Sequence, residues 1–217
     1  MGLDKDERLV GVGVIFKGFA LPSVIVLGDE EAIERELLNY IVQNLDENFI
    51  TISSPDKLSL FEEVAQIKGY HYEYQMLLKE NISFEWDKYP VEKVRGRVAE
   101  ELDRFYRDNK AQAWNPIMLE CGPYYCLRQE GKIVSAAGVH FATSLIAQIG
   151  NVLTAPAYRG QGFATACTGA VADDLSSSNI PIVSLFVVAD NTPAIHIYKK
   201  LGFEKEREVI FAECKPN

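Results

Sequence analysis

Apolar residues change their spacing several times along the first eighty positions, and each change marks an element. Two β-branched, apolar runs at 10–16 and 24–27 predict strands. Between 30 and 45 the residues Ile33, Leu37, Tyr40, Ile41 and Leu45 recur at the spacing of a helix. Residues 48–53 alternate like a strand, and 56–67 return to helical spacing with Leu60, Val64 and Ile67 turned inward. Gly69 is expected to stop that helix ahead of a strand at 72–78. Residues 86–90, ending at Pro90, read as a join between two halves.

Beyond the join, Val91, Val94, Val98, Leu102 and Phe105 share one face of a helix reaching about residue 108. Residues 111–119, with Trp114, Ile117 and Met118, read as a packed turn or a second short helix. Three strands follow at 124–128, 132–140 and 147–154, the first two joined by a turn at Gln129, Glu130 and Gly131. A helix of small residues at 164–175, a buried strand at 182–188 and a short helix come next. Thr192 is expected to cap that helix, with Pro193 as its first residue and Gly202 as its stop.

The two halves repeat one another. Phe49, Ile50, Thr51 and Ile52 fall on Ile182, Val183, Ser184 and Leu185, and the same offset places Gly69 and Tyr70 on Gly202 and Phe203. The expected division is 1–80 and 81–217, the first a smaller β-β-α-β-α-β lobe that reads as a truncated copy of the second.

Composition narrows the class. The chain has 217 residues, 47% of them hydrophobic and 24% charged, which is ordinary for a soluble globular protein. No apolar run approaches the roughly 20 residues of a membrane span, and the acidic start is unlike a signal peptide, so a cytoplasmic protein without a membrane partner is expected. Net charge is −9; residues 1–80 hold 7 Lys/Arg against 15 Asp/Glu. Such a surface repels nucleic-acid backbones and mildly favours a cationic small molecule. Cys121, Cys126, Cys167 and Cys214 form no Cys-x-x-Cys pair and only three histidines are present, so free buried thiols are expected and no metal site.

The sharpest chemical signal is Arg159, Gly160, Gln161, Gly162, Phe163 and Ala164, between a buried strand and a helix. Two glycines within three residues let successive N–H groups point one way, and a helix start adds unpaired donors and the positive end of its dipole. Together they make a seat for a doubly charged phosphate group, with Arg159 at its rim. At the matching place in the first half stand Gly28, Asp29, Glu30 and Glu31, whose carboxylates would repel a pyrophosphate.

Here the sequence resembles the GNAT N-acetyltransferase superfamily. Arg159, Gly162 and Ala164 match its Arg/Gln-x-x-Gly-x-Gly/Ala loop. Asn191, Ala194, Tyr198, Gly202 and Phe203 match its later Asn-x-x-Ala-x-x-x-Tyr-x-x-x-Gly-Phe pattern. The resemblance implies a GNAT fold, a mixed central sheet flanked by helices (α+β in type), preceded by a degenerate GNAT-like lobe. It implies acetyl transfer from acetyl-CoA to an amine of a small molecule or peptide by direct attack. A non-catalytic acyl-CoA-binding regulatory module is the alternative. The same resemblance gives pantetheine contacts to Val152, Leu153 and Thr154. Pyrophosphate contacts fall to Arg159, Gly160, Gln161, Gly162, Phe163, Ala164 and Thr165, and a cofactor contact to Asn191.

Tyr198 is the expected acid toward the leaving thiolate, because a phenol near ~10 is matched to a thiol near ~8.5. The strand before the loop carries no carboxylate where many family members place a glutamate base. Glu120 and His140 are the nearest substitutes, and Glu120 could instead hold a cationic acceptor. His196 is expected at the surface and Cys167 within the core. An exposed sheet edge in either half would invite a homodimer.

Overall fold

Helix α1 (Glu31–Gln43) lies on strand β2 (Arg8–Phe16) at two glycines. A Cβ on Gly11 would come within 2.5 Å of Ile33, and one on Gly13 within 2.6 Å of Ile41. The helix thus needs a strand without side chains beneath it, which fixes which of its faces turns inward.

These coordinates come from a computed structural model that describes residues 2–5, 8–17, 21–80, 85–111 and 113–217. The chain forms two units, residues 1–73 with 208–217, and residues 74–207. In the first, β1 (Gly2–Lys5), β2, β3 (Ser23–Gly28), β4 (Phe49–Ser53), the end of β11 (Phe203–Pro216) and the start of β5 (Ala65–Leu78) lie side by side in that order. β1–β2 and β2–β3 are antiparallel and β3–β4 is parallel. The core under α1 and α2 (Leu58–Glu62) contains Val24, Leu38, Ile41, Phe49, Phe61, Ala212 and Cys214.

The second unit repeats that plan. Strands β6 (Val91–Lys93), β7 (Tyr125–Gln129), β8 (Lys132–Ala142), β9 (Ile146–Thr154), β10 (Ile182–Val188), the end of β5 and the start of β11 follow in order. β7–β8 and β8–β9 are antiparallel and β9–β10 is parallel. One face carries α4 (Phe163–Ser177) and α5 (Thr192–Lys200) over Val134, Val139, Ile149, Val183 and Leu185. Alternation along β8 turns Gly138 to the opposite face. There Tyr124 covers Gly138, and α3 (Val98–Asp108) supplies Tyr106.

Several boundaries differ from the sequence reading. The expected helix at 56–67 is a single 3₁₀ turn (Pro55–Lys57) followed by α2, and β5 already begins at Ala65. Gly69 lies inside β5 with open space around it, so it stops nothing. The strand that flanks this part of β5 is the end of β11, more than a hundred residues away, which no local spacing could reveal. The expected helix from 91 is instead strand β6, where Val91 pairs with Leu127, and then α3; Gly96 at φ +53° separates them. Within the expected turn or short helix at 111–119, of which Gln112 lies outside the described residues, a 3₁₀ helix (Pro116–Glu120) begins with its start capped by the Asn115 side chain. The boundary between units falls at 73/74, inside β5, so residues 86–90 belong wholly to the second unit.

Candidate active site

β9 and β10 pair only from Ile146–Ile182 to Ile149–Leu185. Past that point the two parallel strands part, leaving the β10-facing backbone of Val152, Leu153 and Thr154 outside that ladder. On the other side Leu153 and Thr154 stay paired to Ala136 and Ser135 of β8. Ser135 Oγ and Thr154 Oγ1 share a 2.8 Å hydrogen bond across that pair.

Above the opening, Gly160 and Gly162 stand at φ +78° and +81°, the left-handed region that glycine enters without strain. Gly162 is the N-cap of α4, and no side chain caps that end. Ala166 N–H already bonds to Gly162 O, so the donors left over are those of Phe163, Ala164 and Thr165. A Cβ on Gly160 would meet nothing, whereas one on Gly162 would lie 2.6 Å from Tyr89 Oη. Arg159 is exposed and donates from Nε to Thr154 O at 3.3 Å, which ties the loop to the end of β9. Left-handed glycines and an uncapped helix start make a cradle that fits a pyrophosphate.

Tyr198 on α5 is 6% exposed, edge-on to Phe203 with ring centroids 6.2 Å apart, and its hydroxyl has no hydrogen-bond partner among the described residues. Burial pushes its phenol well above the ordinary value. Burial thus favours the neutral O–H form of Tyr198 at pH 7. Asn191, not Thr192, is the N-cap of α5, its Oδ1 accepting from Ala194 N–H at 3.2 Å. His196 is exposed and Cys167 fully buried, as expected from the sequence.

The two substitutes for a strand carboxylate lie in different settings. Glu120 is exposed and lines an open cavity of about 590 Å³ with Lys93, Arg95, Tyr124 and Asp174. His140 is largely buried, its ring over Gly150, where a Cβ would stand 2.2 Å from Nε2. Burial lowers its pKa, and the neighbouring Asn151 side chain opposes that in part.

Sequence reasoning missed four residues here. Asn151 takes φ +52° in the middle of β9. Tyr106 Oη donates to Asn151 O at 2.7 Å, and Asn151 Nδ2 donates to Tyr124 Oη at 3.0 Å. Tyr89 closes over Gly162. No spacing marks Tyr89, Tyr106 or Tyr124, because each comes from a different element. A lone Asn in a strand was the available signal, since Asn tolerates the left-handed region better than other non-glycine residues.

Among its described residues the first unit has no such cradle. At its matching place the Glu34 carboxylate, 7% exposed, accepts from Gly28 N–H at 3.3 Å and pairs with Lys57. That pairing raises the Lys57 ammonium above its usual value. A carboxylate of the chain thus occupies the Gly28 N–H donor there. Calorimetric titration with CoA should accordingly give one site per chain; two sites would show that the first unit kept a working seat.

The acetyltransferase (GNAT) family model matches residues 82–203, and the chain belongs to that family. Solved structures share the fold at low identity. A GNAT-family protein from Novosphingobium aromaticivorans DSM 12444 is 18% identical with TM-score 0.71, covering 91% of this chain and 85% of its own. A GCN5-related N-acetyltransferase-like protein from Streptococcus suis 89/1591 is 18% identical with TM-score 0.66, covering 98% and 87%. A tandem GNAT protein from the clavulanic acid biosynthesis pathway is 14% identical with TM-score 0.61, covering 99% and 81%. Curated protein sequences contain no match. Among the described residues no helix is long and apolar enough to cross a membrane, and no cluster of metal-ligating side chains occurs.

Proposed function

We propose that the second unit transfers an acetyl group from acetyl-CoA to an amine by direct attack within a ternary complex. The observation that carries this reading is the parting of β9 and β10 after Ile149 and Leu185, directly below an uncapped α4 start with two left-handed glycines. The loop from Arg159 to Phe163, with Ala164 and Thr165, holds the pyrophosphate. The backbone of Val152, Leu153 and Thr154 meets the pantetheine amides, and Asn191 at the start of α5 adds a cofactor contact. The thioester, when bound, supplies an activated acyl carbon.

The acceptor must attack as a free amine. For a lysine-like pKa near ~10.4, supplying that form at pH 7 costs about 4–5 kcal/mol. His140 takes up the proton, being neutral at pH 7 because burial lowers its pKa. Glu120 holds a cationic acceptor from the neighbouring cavity. Tyr198 gives a hydrogen bond to the departing sulfur with its otherwise unpartnered hydroxyl. Residues 1–73 with 208–217 are a degenerate copy of the same unit, supported by matching strand order and by the self-supplied Glu34 carboxylate.

The reading is tested by thiol release from acetyl-CoA against a panel of amines and peptide N-termini. Turnover should fall on acidification only below about pH 6.5, since a lowered histidine pKa keeps the base form to lower pH. Tyr198→Phe should lower kcat about tenfold or more with little change in KM for acetyl-CoA. Tight binding of acetyl-CoA without turnover of any amine would favour a non-catalytic acyl-CoA-binding module, for which the absent strand carboxylate is the specific motive.

A further inference from the structure

The cavity that Glu120 borders carries four charged side chains, and two of them are spent on each other. Lys93 Nζ donates to Asp174 Oδ2, and Tyr125 Oη donates to the same oxygen at 3.0 Å. Arg95 and Glu120 line the cavity as well, yet neither has a hydrogen-bond or ion-pair partner among the described residues. One guanidinium and one carboxylate thus border the same space, their charged atoms more than 4.0 Å apart.

The local fold holds them in place. Arg95 lies in the link between β6 and α3, just before Gly96, whose φ of +53° turns the chain. Val94 N–H donates to Tyr124 O at 2.8 Å, which ties that link to the start of β7. Glu120 ends the 3₁₀ helix that Asn115 caps. Half-buried Val94, Ala99, Leu119 and Pro123 give the cavity an apolar wall. Tyr124 lines it too, and its hydroxyl accepts from Asn151 Nδ2 at 3.0 Å, at the bulge of β9 against β8. Asn151 is two residues beyond the last β9–β10 pair, so one tyrosine reaches from the cavity to the parting strands.

A volume of about 590 Å³ suits a small molecule. A simple anion would leave Glu120 opposing it, and a simple cation would leave Arg95 opposing it. A ligand that carries both charges answers each. The planar fork of a guanidinium matches a carboxylate with two parallel N–H bonds, and an ammonium donates to a carboxylate by a charge-assisted bond. We infer that the acceptor is a free α-amino acid with an apolar side chain. Arg95 holds its carboxylate, Glu120 receives its ammonium, and its side chain lies on the apolar wall. The inference rests on the acetyl-transfer reading of the second unit. Transfer forms the C–N bond as the C–S bond breaks, and the ammonium form plus acetyl-CoA yield the N-acetyl amino acid, CoA thiol and one proton. The product keeps the charge that Arg95 holds and loses the one that Glu120 holds.

Thiol release from acetyl-CoA, measured for each standard amino acid as the free acid and as its α-amide, tests this without any variant. For apolar amino acids the acid should exceed its amide in kcat/KM by about tenfold or more. Amidation lowers the proton affinity of the neighbouring amine and by itself favours attack, so a preference for the acid reports the carboxylate. Arg95→Gln should bring the acid-to-amide ratio to about one. Glu120→Gln should slow acid and amide alike and leave the ratio standing. A calorimetric Kd for CoA within about twofold of wild type shows that each variant is folded.

Amides or peptide N-termini turned over as fast as the free acids, or an acid preference that survives Arg95→Gln, overturn the inference and leave acetyl transfer standing. Selection for polar side chains overturns it as well. Acetyl-CoA bound without turnover of any acid, amide or peptide sinks the reading on which the inference rests.

Discussion

Gly162→Ala should weaken CoA binding about 100-fold or more by calorimetry, whereas Gly160→Ala should weaken it only about tenfold. Both glycines are left-handed, at φ +81° and +78°, so either alanine pays about 1–2 kcal/mol of backbone strain. They differ in what the new methyl meets. At Gly160 there is open space; at Gly162 the Cβ falls 2.6 Å from Tyr89 Oη and 3.3 Å from Cζ. Tyr89 is held edge-on to Phe163, the first residue of α4, with centroids 6.2 Å apart. Moving Tyr89 therefore disturbs the helix start whose N–H groups form the seat. The second factor of ten corresponds to about 1.4 kcal/mol, a modest charge for that collision. Equal Kd values for wild type and Gly162→Ala would mean that this loop does not grip the anion.

Gly138→Ala should lower stability by about 2–4 kcal/mol, a fall in Tm of roughly 5–15 °C for a chain of this size. A Cβ there would stand 2.1–2.3 Å from three ring carbons of Tyr124. The ring cannot swing away cheaply, because its hydroxyl is hydrogen-bonded to Val139 O and to Asn151 Nδ2. Displacing it breaks both bonds in a buried setting and frees the bulge at Asn151. Gly69→Ala is the control. That glycine also lies in a strand but has nothing within 4 Å, so alanine there should be neutral or slightly stabilising. Thermal unfolding of the pair separates a packing constraint from a general cost of altering strand glycines.

The elements around the candidate site were largely legible. β7 to β10, α4 and α5 are local: their apolar period, turn residues and helix stops lie within each stretch of ten to fifteen residues. The loop glycines carried their meaning in their type, and both are left-handed as that type suggested. The failures share one cause. β5 and β6 read as helix, or were missed at their edges, because their pairing partners are β11 and β7, distant in sequence. Strand formation at such places is decided by a neighbour that local spacing does not contain. Thr192 lost the cap of α5 to Asn191 for a smaller reason, since adjacent residues of similar capping strength differ only in final backbone geometry.

By itself the sequence determined the family, the order of the α/β repeat and the place of the glycine loop before α4. These depend on residue types at fixed short offsets, where glycine and a helix start impose their own geometry. Tertiary structure alone decided which tyrosines meet Asn151, that Glu34 accepts from Gly28 N–H and pairs with Lys57, and that burial shifts the proton affinities of Tyr198 and His140. Those are properties of side chains from separate elements brought within 3 Å or sealed from water. Contact and desolvation exist only once the chain has folded.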